Sequence, residues 1–203
     1  SKPKTMDEPL RRALLFLQQR VATGKPLTIE PSLHSTWYVY TDGACEPETQ
    51  FGSVGGVLYS PSGQCLHYFG GSVPSSIMQD LFSRSRNPTH ELEVLPVVMA
   101  ASLWGSFFSK SQVVYYIDNE SARLAYVRGD GETLRASKLI QVFVEEEARL
   151  QHRVWFGRVP SFSNPADSPS RLKFDEVKEL GAMQTNIDWE KVAQHLELET
   201  GAR

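Results

Sequence analysis

Cysteine is scarce in this chain: Cys45 and Cys65 are the only two among 203 residues. That is too few for a disulfide framework, so the expected setting is reduced and intracellular, cytoplasmic or nuclear. Long apolar runs are also missing. The longest nearly apolar stretch, Val94 to Trp104, is interrupted by Pro96 and Ser102, whereas a membrane span needs about 20 such residues; no membrane association is expected. The opening Ser1-Lys-Pro-Lys-Thr lacks the apolar core of a signal peptide. A start on Ser rather than Met leads us to expect a piece of something larger. Positive charge is not in excess, with 21 Lys and Arg against 24 Asp and Glu and a net charge of −3. A freestanding nucleic-acid binder is usually basic, so this balance argues against one. It leaves open a local basic groove, or a module whose affinity comes from a larger protein. The five histidines and two cysteines show no zinc spacing. Gly52, Gly55 and Gly56 match no nucleotide fingerprint; they let substrate backbone approach, or relieve crowding in a strand. No internal repeat or low-complexity segment is visible.

What is present suits a folded domain: 40% hydrophobic and 22% charged residues, ordinary globular values. Residues 7–23 read as an amphipathic helix, with Leu10, Leu14, Leu17 and Val21 at helical spacing. Residues 25–35 are polar, carry two prolines and read as a linker. Thr36 to Ala44 alternates and reads as a strand. Val54 to Ser60 and Gln64 to Gly70 read as a hairpin around the turn Pro61-Ser62-Gly63. Residues 72–89 show no period and read as a long loop. His90 to Phe108 is helical in pattern, and Pro96 requires a late start near Leu92 or a kink. Val113 to Ile117 reads as a buried strand. Asn119 to Arg128 and Glu132 to Gln151 read as helices, Arg153 to Val159 as a strand, and a last helix starts at Asn164. Trp37, Trp104 and Trp155 read as core residues, and His152 as a surface one. The order predicts an α/β fold with a mixed sheet and helices on its faces. Three parts are expected: residues 1–35 as N-terminal helix and linker, 36–181 as the domain, and 182–203 as a polar tail with one weakly amphipathic stretch, Trp189, Val192 and Leu196.

Four acids sit where strands end or helices begin: Asp42, Glu93, Asp118 and Asp167. Strand ends and starts of packed helices can converge on one rim of a sheet. Four carboxylates there would repel one another and raise their own pKa values unless cations neutralised them. Hard divalent ions with oxygen ligands fit best, Mg²⁺ above all. Two such ions about 4 Å apart can activate a water and stabilise the leaving oxygen of a phosphodiester. Singly, each acid has a plainer reading that is the favoured one: a turn aspartate before Gly43, a first-turn glutamate, an aspartate preceding a helix, a residue of a capping arrangement.

Together the motifs say more. Thr41-Asp-Gly-Ala, the acid in Glu91-Leu-Glu-Val-Leu, Ile117-Asp-Asn, and Val159-Pro-Ser-Phe-Ser-Asn-Pro-Ala-Asp-Ser-Pro-Ser-Arg resemble the ribonuclease H domain of reverse transcriptases. The last motif is the most specific, and is similar to hepadnavirus polymerases and to DIRS-like retroelements. The resemblance covers residues 36–173. It implies a ribonuclease H-like fold with a mixed five-stranded sheet, helices on both faces and an N-terminal helical extension. It implies an endonuclease that hydrolyses the RNA strand of an RNA–DNA hybrid, leaving a 5′-phosphate and a 3′-hydroxyl. Two Mg²⁺ ions, with Mn²⁺ able to substitute, would be held by Asp42, Glu93, Asp118 and Asp167. In the resemblance Asp42 bridges both metals, and Asp167 serves the one that activates the water. Glu91 is the rival of Glu93, about 200° round the helix, so only one of the two can face the metals. Asn164 orients its turn or touches substrate. Asn119, Ser170, Arg84, Arg86, Arg158 and Arg171 are candidate substrate contacts, the arginines toward phosphates. Residues 7–23 are similar to the helix that joins a polymerase thumb to this domain, so the implied partner besides the hybrid is the reverse transcriptase domain of the same polyprotein.

One departure stands out: many cellular ribonucleases H carry a histidine in the loop before the last helix, and Val159-Pro-Ser-Phe-Ser has none. Two alternatives remain. One is a catalytically silent module of the same fold that positions nucleic acid; the presence of all four acids speaks against it. The other is a different nuclease of the superfamily, transposase-like or exonucleolytic; the Asn164-Pro-Ala-Asp setting speaks against that.

Overall fold

A computed structural model describes residues 7–23 and 35–196. Nearly all of the expected linker, and the end of the expected tail at 197–203, lie outside the described residues. The chain falls into two units. The first contains helix α1 (Glu8–Thr23). Asp7 Oδ1 accepts the Leu10 amide at 2.9 Å and so satisfies one of the free amides of the first turn. Leu10, Leu14, Leu17 and Val21 form an exposed apolar stripe on this helix.

The second unit runs β1 (Thr36–Glu46), β2 (Phe51–Tyr59), β3 (Cys65–Ser72), α2 (Ser75–Arg84), α3 (Thr89–Phe108), β4 (Gln112–Ile117), α4 (Glu120–Arg128), α5 (Leu134–Leu150) and β5 (Arg153–Arg158). A 3₁₀ turn (Ser161–Ser163) follows, then α6 (Asp167–Ser170), α7 (Asp175–Glu179), β6 (Met183–Gln184) and α8 (Trp189–His195). The strands form one sheet in the order β5-β4-β1-β2-β3-β6. β1, β2 and β3 are an antiparallel meander, and β4 and β5 run parallel to β1. α3 and α5 supply most of the large core on one face; α6 and α7 cover the β2–β3 side of the other, around Val57, Tyr68, Ala166 and Val177. The mixed sheet with helices on both faces is as expected.

The sheet has six strands, not five. The sixth, β6, pairs parallel with β3, and the Thr185 amide extends this pairing to the Tyr68 carbonyl at 2.7 Å. A two-residue strand is too short to show the period of two that marks strands in a sequence. It belongs to the segment expected as a polar tail, which instead closes the core. Val192 and Leu196 are buried, and Trp104 Nε1 donates to Thr185 Oγ1 at 3.1 Å. The buried guanidinium of Arg135 donates to the Leu196 carbonyl and, at 2.8 Å, to Asp80 on α2. The segment is polar because only one face of α8 is inward.

The expected long loop at 72–89 contains α2, whose Ile77, Met78 and Leu81 enter the core. Its Ser, Gln and Arg residues hide the short apolar face. α3 begins at Thr89 and carries Pro96 inside it. Pro96 has no N–H for the Leu92 carbonyl, its partner four residues back. That same carbonyl is where a Cβ at Gly43 would strike, so the freed oxygen lies against a strand residue with no side chain. α3 is long and apolar enough to cross a membrane by composition, but 78% of its most apolar window is buried in the fold. It is the central core helix.

Three further expectations change. Trp104 is core and Trp37 packs against it, but Trp155 is 71% exposed on the edge strand β5. His152 is buried beside Phe108 rather than on the surface, and burial pushes its pKa down to about 4. The β2 glycines admit the protein's own atoms, not those of a substrate. A Cβ on Gly52 would meet Met78, and one on Gly56 would meet Phe69. A Cβ on Gly55 would collide with the Ser170 amide and lie 2.8 Å from the Ala166 carbonyl. α6 therefore packs on bare backbone. Gly55→Ala is expected to lose roughly 1–3 kcal/mol by overpacking in urea unfolding. Gly105→Ala, which meets only the flexible Leu150 side chain, is expected to lose less; equal losses would contradict the close-approach account.

Candidate active site

Strand register explains why the acids meet. β1 and β4 are parallel with Thr41 opposite Ile117, so the next residues, Asp42 and Asp118, are adjacent in space. β4 ends there, whereas β1 continues to Glu46; Asp42 is an interior strand residue, not a closing one. α3 lies on β1 at Gly43, where its Leu92 and Glu93 backbone comes within the reach of an absent Cβ. That approach delivers Glu93. Ligand oxygens of Asp42, Glu93 and Asp118 all lie within 4.8 Å of one another.

The electrostatics of the cluster would favour a bound cation. Burial pushes Asp42 up to about 6, with the charges of Asp118 and Asp167 adding to the shift; the Ser170 hydrogen bond and the Arg171 charge oppose it. Burial pushes Glu93 up to about 9, reinforced by Asp42 and Asp118 and opposed by a backbone hydrogen bond from Gly43. Glu93 Oε2 and Asp118 Oδ1 are buried without a hydrogen-bond partner. Buried carboxylate oxygens are ordinarily paired. Two orphaned oxygens within one cluster fit a divalent metal bound by hard oxygen ligands.

Glu91 does not compete. It is buried, but its Oε1 accepts the Thr133 hydroxyl at 2.7 Å, and Thr133 caps α5. It fastens α3 to α5, on the other side of the helix from Glu93. Asp167 stands apart from the three-acid group. It is partly exposed and its Oδ1 accepts Arg171 Nε at 2.9 Å, although its charge reaches Asp42.

Ser170 and Asn164 are placed behind the site. Ser170 is fully buried and its hydroxyl donates to Asp42 Oδ2; its carbonyl accepts Ser53 Oγ at 2.5 Å. Asn164 is buried, donates through Nδ2 to the Thr41 carbonyl at 3.1 Å and accepts the Ala166 amide at 3.1 Å. Both brace the acid-bearing rim from within. Asn119 caps α4 by accepting the Ala122 amide at 3.0 Å. Arg158 is exposed at the end of β5, 4.0 Å from Glu120. Arg84 and Arg86 are exposed at the end of α2 and just after it, Arg84 lying 3.7 Å from Asp80. No hydrogen bond or ion pair among the described residues ties them to the acids. The Ser170–Asp42 bond had one sequence signal: Ser170 follows Asp167 by three residues, which puts both on one helical face.

No protein-family model and no curated protein matches this sequence. Solved structures do match in shape. The ribonuclease H1 of the halophilic archaeon Halobacterium salinarum superposes with a TM-score of 0.51 at 18% identity, over 70% of this chain and 98% of that one. The N-terminal ribonuclease H domain of a Mycobacterium tuberculosis protein gives 0.51 at 12% identity, over 73% and 99%. A ribonuclease H1 isolated from compost by metagenomics gives 0.51 at 14% identity, over 71% and 99%. The fold is ribonuclease H-like. It spans nearly the whole length of each of these structures, and the remainder of the chain is additional to them.

The raised carboxyls have a consequence for stability. The unfolded chain releases the Glu93 proton near the ordinary glutamate value of 4.5, while the folded chain keeps it to about 9. Each rise in pH within that window therefore favours unfolding. Asp42 acts in the same sense, but only below about 6. His152, lowered to about 4, acts in the opposite sense below 6.5. In chelator, the melting temperature is expected to fall from pH 6.5 to 8. Millimolar Mg²⁺ is expected to raise it and remove the slope, and Glu93→Gln to flatten it without metal. An unchanged slope in Glu93→Gln would show that another group titrates.

Proposed function

We propose that this chain is a divalent-metal-dependent ribonuclease H that cuts the RNA strand of RNA–DNA hybrids, as the ribonuclease H domain of a reverse transcriptase-type polyprotein. The observation that carries the reading is the convergence of Asp42, Glu93 and Asp118, with unpartnered buried oxygens, at one rim of a ribonuclease H-like sheet. The matched structures of that fold are ribonucleases H. The polyprotein context rests on the Val159–Arg171 motif, and its partner is the polymerase domain, within the cell.

In this reading Asp42, Glu93 and Asp118 hold Mg²⁺ or Mn²⁺, with Asp167 completing the set. Bound there, the ions supply Lewis acidity and charge neutralisation for attack of water on phosphorus. The chain's own residues set the geometry. Ser170 fixes the Asp42 carboxylate, and Gly43 brings Glu93 to it. Asn164 ties the Asp167 turn to β1, while Arg158 and Arg171 face solvent where a phosphate can reach them. Arg171 holds Asp167 as a counter-charge. Discrimination for RNA comes from contacts to the 2′-hydroxyl.

Cleavage of matched hybrid, duplex RNA and duplex DNA with Mg²⁺ or Mn²⁺ tests the proposal. Hybrid is expected to be cut best, leaving a 5′-phosphate. Asp42→Asn and Glu93→Gln are expected to lose at least about a hundredfold in rate with the circular dichroism spectrum retained. Glu91→Gln is expected to keep most of its activity and lose stability instead. A preference for duplex DNA, or full activity in Asp42→Asn, would overturn the reading.

A further inference from the structure

Phe162 is exposed over 93% of its surface, more than any other large apolar side chain among the described residues. A lone exposed apolar residue is ordinary on a protein surface; its mounting is not. Phe162 is the middle residue of the 3₁₀ turn Ser161–Ser163. The Ser163 amide donates to the Pro160 carbonyl at 2.8 Å, and the Asn164 amide to the Ser161 carbonyl at 3.1 Å. Before the turn, Val159 is buried and its amide donates to the Ile117 carbonyl at 3.3 Å. After it, the buried Asn164 side chain holds the Thr41 carbonyl. Ile117 and Thr41 are the residues immediately before Asp118 and Asp42. The ring is thus carried on a braced turn tied to both of the strands that carry Asp42 and Asp118.

Its surroundings fit nucleic acid better than protein. The adjacent exposed residues are Pro160, Ser161 and Ser163, with Arg158 beyond, and residues 159–166 include no acid. Hydroxyls and an arginine suit sugar and phosphate. An aromatic ring suits a base face or an opened base step, and apolar side chains wedge into steps from the minor groove. A-form helices present a wide, shallow minor groove. A protein contact would need a contiguous apolar patch, and this turn offers a single ring.

We propose that Phe162 contacts a base step of the hybrid from its minor groove, next to the cleavage centre, and sets the register of the cut. This rests on the hybrid substrate proposed above. The ring is prepositioned by its braced turn, so little conformational freedom is lost on contact.

The full chain carrying Asp42→Asn separates binding from cleavage. Its affinity for a short hybrid with 2-aminopurine in the DNA strand is measured by anisotropy, and base unstacking by the fluorophore. Adding Phe162→Ala is expected to weaken binding roughly 5- to 30-fold and to abolish the position-dependent fluorescence rise; Phe162→Trp is expected to restore both. In the active chain, Phe162→Ala is expected to spread the cut positions. Unchanged affinity, fluorescence and cut positions in Phe162→Ala, with hybrid still bound and cut, would overturn this proposal alone. Unchanged binding with altered sedimentation of the chain would assign the ring to a protein contact and also overturn it. A chain that neither binds nor cuts hybrid sinks the substrate reading and this one together.

Discussion

Asp42, Glu93 and Asp118 repel one another, and burial removes the water that would screen them. Left alone, such a group would push apart or hold its protons, and the raised Asp42 and Glu93 pKa values record the second response. The packing around the acids leaves them nowhere to go. The parallel register of β1 with β4 fixes two of them from the backbone. The third arrives because α3 rests on Gly43. The electrostatic stress of the cluster is balanced by the hydrophobic burial of α3, the helix that contributes most to the core.

Close backbone approach serves this end twice. Gly43 lets α3 touch β1 on one face of the sheet, and Gly55 lets α6 touch β2 on the other. From α6, Ser170 donates to Asp42. The Asp42 carboxylate is thereby held from one face while Glu93 is delivered from the other, both on rigid elements, which is what a site must have to keep its groups in productive geometry. Arg171, the residue that caps the end of α6, pairs with Asp167, so one short helix and its cap hold two of the acids.

The sequence made the sheet legible where strands alternate or run apolar, as in Thr36 to Ala44 and Val113 to Ile117. It also marked Asp42, Glu93 and Asp118, of which strand register brings two together and α3 delivers the third. Glu91 against Glu93 stayed undecided, because helical spacing separates the two without saying which faces the sheet. Gly43 and Thr133 decide it, and both lie far from α3 in sequence. α2 was hidden because it buries only a few apolar residues among polar ones; α8 showed in the sequence only as the weakly amphipathic set Trp189, Val192 and Leu196. Trp155 was misplaced because an edge strand leaves part of a face uncovered, and composition cannot report strand order. His152 was misplaced because its burial depends on Phe108, a contact across 44 positions that periodicity does not encode. Ser170 was expected at the surface of the site; its hydroxyl lies underneath, since α6 packs more closely than a side chain on residue 55 would allow.

The clasp of Arg135 on the Leu196 carbonyl joins residues 61 positions apart, and the same guanidinium holds Asp80 on α2. During synthesis α5 is made long before its acceptor exists. Until residue 196 leaves the ribosome, a charged group bound for the interior has lost one of its two partners, and an unpaired buried charge is strongly unfavourable. The order of events follows from topology. The meander and α3 can assemble early, while completion of the core waits for its last helix.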